Sequence, residues 1–310
     1  MSFTQEVKDE LSRVEPGCSH CERALLAALV RVEGTLFFAG KGRYRLEVSS
    51  DVAENAKLAY TLLKRLYGLE VQLSFRRNVL RSTLNYFLEV PDQPRLADAL
   101  VDLGVLTEDG GLELGIKPKL VEKLCCSSAY LRGAFLGSGF VSNPHGEFHL
   151  EMTVESEALA DGLVQLMGLK GIPGRITARR SSFMVYLKSG GAIADFLAFV
   201  GAHSAVMALE EQRTIKSVRN DINRSNNAEI SNLRKASNAA VDQVFAIRRV
   251  LREYGIDNLP PALREVCRLR AAYPEASLKE LGEMANPPLS KSAVYHRIRR
   301  IEEMAQELDE

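Results

Sequence analysis

The sequence predicts an α+β protein: a duplicated half of order α-β-β-α-β-β-α, then an all-α end. Three observations carry this. The stretch Leu26-Ala27-Ala28-Leu29-Val30-Arg31-Val32-Glu33-Gly34 returns in outline 105 residues later as Leu131-Arg132-Gly133-Ala134-Phe135-Leu136-Gly137-Ser138-Gly139. Both copies are apolar, rich in small residues, and close on a glycine before an aromatic residue, Phe37-Phe38 in one case and Phe140 in the other. The offset also holds outside the stretch, taking Cys21 to Cys126 and Asp51 to Ser156. From Pro260 onward, strand-like alternation is replaced by three short helical stripes. A period this long marks a doubled domain half and not a solenoid.

Composition bounds the rest. A chain of 310 residues is long enough for two or three domains with real cores. With 40 basic and 40 acidic residues the formal net charge is zero, so any nucleic-acid footprint must be local. The first fifteen residues alternate charge with apolar side chains and lack the apolar core of a secretion signal. No run approaches the roughly 18 apolar residues of a membrane span. Five cysteines, an odd number, fit reduced thiols in a cytoplasm.

Each element has a local cause. Phe3, Val7, Leu11 and Val14 make a short amphipathic helix that ends at Pro16-Gly17. A core helix follows from about Cys21 to Gly34. Tyr44, Leu46 and Val48 alternate with Arg43, Arg45 and Glu47, a strand covered on one side. Asp51 is positioned to cap the next helix, whose stripe is Leu58, Leu62, Leu63 and Leu66 and whose stop is Gly68. Val71, Leu73 and Phe75 face a partner strand of Leu84, Tyr86, Leu88 and Val90, and residues 94–103 close the half as a helix. The second half repeats this: helix 128–137, strand 146–154, helix 157–167, strands 175–178 and 183–188, helix 191–200.

Ala27, Ala28, Gly133, Ala134 and Gly137 let the two repeated helices approach closely, while Leu26, Leu29, Val30, Leu131 and Phe135 supply apolar burial at about 25 cal/mol per Å². Their glycine ends should then lie side by side at the centre of a continuous antiparallel sheet. This pattern resembles the LAGLIDADG homing-endonuclease fold in its monomeric, pseudo-symmetric form, over roughly residues 20–200. The resemblance implies an acidic residue before each terminal glycine, because hard divalent cations over a scissile phosphate need carboxylate oxygen. The two positions here are Glu33 and Ser138. A serine hydroxyl is neutral, so the symmetric site cannot form; both positions read as vestigial, with no catalytic residue and no metal.

The outward strand faces differ in sign. The first half offers Arg43, Arg45 and Arg76, the second Glu147, His149 and Glu151, which would repel phosphate. Cys18-x-x-Cys21 and Cys125-Cys126 flank the amino ends of the repeated helices, which raises a zinc reading. Adjacent cysteines are awkward ligands, His20 confuses the donor set, and buried free thiols are common, so reduced thiols without metal or cofactor are expected.

From about Val206 to Glu253, arginine, lysine and asparagine accumulate. Asn220, Asn223, Asn226 and Asn227 cluster, and two helices broken around Arg224–Asn227 are expected. This connector is either a solvated linker or an arm in which Arg219, Asn223, Arg224 and Asn227 touch phosphates. Beyond it, Pro260-Pro261 opens one helix, Ser277 caps a second over Leu278–Met284, and Asn286-Pro287-Pro288 makes a turn. Ser290 then caps a third, with Val294, Ile298 and Ile301 on one stripe. No acid occurs between Ser290 and Ile301. Three helices whose last is capped and basic make a helix-turn-helix.

The combination resembles the WhiA family of sporulation and cell-division regulators of Gram-positive bacteria, across essentially the whole chain. The resemblance rests on Leu289-Ser290-Lys291-Ser292-Ala293-Val294-Tyr295-His296-Arg297 and on the Arg219–Asn227 cluster. It implies a non-enzymatic, cytoplasmic, nucleoid-associated regulator that binds promoter DNA. RNA polymerase, its sigma factor or a co-regulator is the protein partner it would bring. On this reading residues 1–17 are an amino-terminal helix, 18–202 the duplicated domain (halves about 18–105 and 123–202), 203–255 the connector and 256–310 the helix-turn-helix. Ser290, Lys291, Ser292, Tyr295, His296 and Arg299 are candidates for base or backbone contact, and Arg297 and Arg300 for phosphates.

Overall fold

The computed structural model describes residues 2–40, 42–78 and 83–308. The last two residues expected in the carboxy-terminal module lie outside them. Two compact units are present, Met1–Lys216 and Ser217–Glu310.

The first unit is built on the seam between α2 (Ser19–Glu33) and α5 (Leu124–Ser138), the repeated helices. A side chain at Gly133 would run into the Leu25 carbonyl and come within 2.9 Å of the Ala28 Cβ; one at Gly137 would meet Val32 at 3.0 Å. Only glycine permits this approach, and Leu25, Leu26, Leu29, Leu131 and Phe135 bury fully around it. Both helices end on glycines in extended conformation, Gly34 (φ −90°, ψ 140°) and Gly139 (φ −72°, ψ 144°), so each runs straight into a strand.

The two halves then repeat. The first has β1 (Gly34–Gly40), β2 (Arg43–Ser50), α3 (Ala53–Tyr67), β3 (Gln72–Asn78), β4 (Thr83–Val90) and α4 (Leu96–Asp102). The second has β5 (Gly139–Val141), β6 (Leu150–Val154), α6 (Glu157–Gly168), β7 (Arg175–Ala178), β8 (Phe183–Leu187) and α7 (Gly190–Val200). The duplication reaches topology: the antiparallel sheets have orders β1-β2-β4-β3 and β5-β6-β8-β7. Leu46, Val48, Leu88 and Val90 face the helices in one sheet, and Leu150, Met152, Val185 and Leu187 in the other.

Three expectations for this unit are corrected. The sheet is not continuous: among the described residues no ladder joins the two four-stranded sheets, because strand pairing closes within each half, and the halves meet through side-chain packing and the buried Asn55 amide, which donates to the Leu136 carbonyl at 2.7 Å. Asp51 does not cap α3. The cap position falls one residue later, on Val52, whose amide donates to Ser50 Oγ at 3.3 Å, whereas Ser156 does cap α6. The strand expected from residue 146 begins only at Leu150, because a turn through Asn143-Pro144 occupies the space, closed by Ser142 N–H donating to the His149 carbonyl at 2.8 Å.

Helix α1 (Phe3–Ser12) buries Phe3, Val7 and Leu11 as expected and docks on β5, where Thr4 Oγ1 donates to the Val141 carbonyl at 2.7 Å. Its Glu10 carboxylate accepts from the amides of Ser204 (2.7 Å) and Ala205 (3.1 Å), capping the start of α8 (His203–Tyr254). That helix of 52 residues is unbroken, against the expected interruption at Arg224–Asn227. No proline or glycine falls inside it, and asparagine lowers helix propensity by only a few tenths of a kcal/mol, roughly, too little to stop propagation. No described helix is long and apolar enough to cross a membrane.

In the second unit α9 (Pro261–Ala272), α10 (Leu278–Met284) and α11 (Lys291–Glu307) pack around Val266, Leu281, Val294 and Ile298. Ile247 and Val250 of α8 join Leu263, Cys267 and Ile301 in an adjoining core. Gly282 lets the Leu289 carbonyl pass where a side chain would block it. Buried Arg270 donates to the carbonyls of Pro274 (3.3 Å) and Ala276 (2.5 Å), holding the link between α9 and α10.

The seam gives a direct test. Gly133→Val forces α2 and α5 apart and is expected to destabilise the first unit by at least the roughly 1–3 kcal/mol of an overpacked core. Gly146→Ala, at a turn glycine with its nearest neighbour at 3.5 Å, should change the melting temperature little. Thermal melts of the two variants compare them.

Candidate nucleic-acid interface

The carboxy-terminal helices carry their own start signals. Ser277 and Glu280 form a reciprocal capping box that starts α10. Ser290 Oγ accepts from the Ala293 amide at 3.2 Å and starts α11. Burial of Val294, Ile298, Ile301 and Ala305 on one stripe turns Lys291, Ser292, Tyr295, His296 and Arg299 outward, and all five are exposed. Tyr295 and His296 meet edge to face with centroids 5.6 Å apart.

The predicted contact residues do not all behave alike. Arg297 is half-buried and turned toward the Ala262 carbonyl at 3.4 Å, so its guanidinium leans on α9. Arg299 lies 3.5 Å from Glu303, and Arg300 lies 3.2 Å from Glu303 and 3.7 Å from Glu307. The free positive charge therefore concentrates toward the first turn, around Lys291. Along α8, Arg219, Asn223 and Asn227 recur every fourth residue on one exposed face, while Arg224 is ion-paired with Asp221.

The twin corners of the first unit are unequal. Glu33 Oε1 accepts from Ser50 Oγ at 2.8 Å, while its other oxygen is buried without a hydrogen-bond partner. Burial pushes the Glu33 carboxyl up to about 7, opposed by the Ser50 hydrogen bond, the Lys8 charge and Asn55. Ser138 Oγ turns back to the Ala134 carbonyl of its own helix at 3.3 Å. Lys8, only 8% exposed, brings an ammonium from α1 into the field of Asp51 and Glu33, and burial holds its pKa below the ordinary lysine value. A fixed cation thus shares the corner where a divalent ion would need two acids. Sequence reasoning missed Lys8. Its signal was a lysine beside Val7 and three residues from Leu11, at the edge of the apolar stripe.

The sheet faces contrast less than expected. Arg45 sits over the Phe37 ring at 4.2 Å but also pairs with Glu89 at 3.0 Å. Arg76 lies over Phe87 at 5.2 Å. On the second sheet Glu151 is 2.8 Å from His149 and 3.6 Å from Arg179, a partner that the strand pattern did not disclose. At the amino ends of α2 and α5, Cys18, His20, Cys21 and Cys125 converge, with Cys126 Sγ 3.0 Å from His20 Nδ1.

Comparison with known proteins agrees with this architecture. Family models match three consecutive regions: the WhiA N-terminal LAGLIDADG-like domain at residues 19–106, the WhiA LAGLIDADG-like domain at 127–219 and the WhiA C-terminal HTH domain at 222–305. The chain is 43% identical over 311 aligned positions to the probable cell division protein WhiA of Desulfitobacterium hafniense (strain Y51), covering 100% of this chain and 97% of that one.

The chain belongs to the WhiA family.

The WhiA protein of Heliobacterium modesticaldum is 41% identical, over 99% of this chain and 96% of its own. The crystal structure of full-length DUF199/WhiA from Thermatoga maritima has the same fold, with a TM-score of 0.60 at 24% identity over 99% of each chain. Two LAGLIDADG-like halves followed by a helix-turn-helix are thus the WhiA architecture, and an exposed basic helix on that module equips a DNA-binding regulator.

The Glu33 corner makes stability depend on pH. Its folded pKa lies above the ordinary 4.5, so as pH rises the unfolded chain loses this proton first. This group therefore lowers stability progressively between about pH 4.5 and 7, and by up to about 3 kcal/mol above that window. Glu33→Gln should match the parent chain near pH 4 and melt higher at pH 8, as paired denaturation curves would register.

Proposed function

We propose that this chain is a sequence-specific transcriptional regulator of cell division and sporulation that grips promoter DNA through α11 and does not cut it. The observation that carries the reading is the exposed, acid-free first half of α11, held outward by its own apolar stripe. An α-helix presented this way fits the major groove, where Lys291, Ser292, Tyr295, His296 and Arg299 would meet base edges and backbone. Arg300, and Arg219, Asn223, Arg224 and Asn227 on α8, supply candidate phosphate contacts, which set position and carry no sequence information. Because Arg297 is engaged with Ala262, its contribution would be to fix α11 against α9.

Loss of cleavage follows from the unequal corners. Ser138 offers no charge, and Lys8 opposes a second cation beside Glu33. The family relatives named as cell division proteins support the cellular role, and a cytoplasmic, nucleoid-bound location follows from DNA binding.

Arg299→Ala is expected to weaken specific binding by about 1–3 kcal/mol while leaving nonspecific binding nearly unchanged. Lys291→Ala should lower the salt dependence of binding by about one unit of log–log slope. Gel-shift titrations at several salt concentrations on operator and random duplexes test both, and equal losses on both duplexes would remove Arg299 from base reading. Mg²⁺-dependent nicking of supercoiled plasmid that disappears in Glu33→Gln would overturn the non-cleaving part.

A further inference from the structure

We propose that Cys18, His20, Cys21 and Cys125 form a tetrahedral site for a divalent d10 cation, zinc first, which ties the amino ends of α2 and α5 together. The four donor atoms, three sulfurs and one ring nitrogen, all lie within 4.8 Å of one another. Around zinc, with bonds of roughly 2.0–2.3 Å, tetrahedral donors stand about 3.5–3.8 Å apart. The present cluster therefore surrounds a cation by small side-chain adjustments and no backbone rearrangement. Cys18 Sγ is already 3.1 Å from His20 Nδ1 and 2.9 Å from Cys21 Sγ, and all five cysteines of the chain are free thiols.

The objection raised by adjacent cysteines falls away on a helix. Neighbouring residues point about 100° apart, so exposed Cys125 completes the donor set while Cys126, 3% exposed, lies behind it with its Sγ 3.0 Å from His20 Nδ1. His20 supplies the fourth donor of a three-sulfur, one-nitrogen set, an ordinary composition for structural zinc. The electrostatics agree. Cys18 and Lys123 occupy the cap positions of α2 and α5, and neither side chain caps its helix. Zinc with three thiolates carries a net charge of −1, and negative charge is stabilised at a helix amino end. Here two such ends converge on it. Soft thiolates and a borderline imidazole select zinc over magnesium or calcium.

The site lies at the opposite end of the seam from Glu33 and Ser138, so it is independent of the inherited cleavage corner. It would clamp the end of the two central helices where glycine packing is absent.

The test uses the full-length chain purified under reducing, chelator-free conditions. Elemental analysis should find about one zinc per chain. Replacement by Co²⁺ should give thiolate-to-metal charge-transfer absorption and the visible bands of a tetrahedral ion. Cys18→Ser and Cys125→Ser should lose the metal, while Cys267→Ser, a lone buried thiol in the second unit, should keep it. Should the serine variants fail to fold, removal of zinc from the unmodified chain by a chelator should lower its melting temperature, with recovery on adding zinc back. Absence of zinc together with no Co²⁺ spectrum would overturn the proposal. So would a Cys18–Cys21 disulfide in protein handled this way, or full retention of metal in Cys125→Ser.

Discussion

Close approach of two helix backbones is the constraint that the first unit depends on. At Gly133 the neighbouring helix presents the Leu25 carbonyl where any larger side chain would stand. The same contact fixes where Gly34 and Gly139 lie, and those glycines launch β1 and β5 without an intervening loop. Sheet order, strand faces and the placement of Glu33 beside the carboxy end of α5 all descend from it. Because no strand ladder joins the halves, each sheet can keep its own register while the seam, with the buried Asn55 amide donating to the Leu136 carbonyl at 2.7 Å, sets their common core.

The corner where α2 and α5 end sets two unequal positions side by side. The carboxylate at Glu33 persists, with one oxygen hydrogen-bonded and one buried bare. Its partner position has become a hydroxyl that satisfies a carbonyl in its own helix. Lys8 then compensates charge from a helix outside the repeat. A buried acid so placed weakens the fold at neutral pH. The carboxy-terminal unit, by contrast, spends its charge outward: α11 keeps its acids, Glu302, Glu303 and Glu307, in its last turns and leaves its first turns free of them.

Much of this was legible in the sequence, and the reasons are local. Period-two alternation marked β2, β3 and β4 but not β1 or β5, and the apolar stripe of Val294, Ile298 and Ile301 oriented the third carboxy-terminal helix. Gly68 stops α3 in the left-handed conformation (φ 62°), as its position suggested. What failed was decided by single-residue register or by distance along the chain. The α3 cap moved from Asp51 to Val52, a shift that side-chain preference cannot resolve. The connector stayed helical because modest asparagine penalties do not add up to a break without glycine or proline. The separation of the two sheets, the Arg179–Glu151 pair, the turn of Arg297 toward Ala262 and the meeting of Cys18 with Cys125 join residues remote in sequence, where periodicity is silent.

The unbroken α8 has one more consequence. Every residue from 217 to 239 is exposed, so this stretch has no core beneath it and depends on its own hydrogen bonds and the local pair of Arg224 with Asp221. Val218, Ile222, Ile230 and Leu233 stand in water there. Amide protons in that span should be the first of the helix to exchange with solvent, and a protease should find its foothold there, since local opening sacrifices no buried surface.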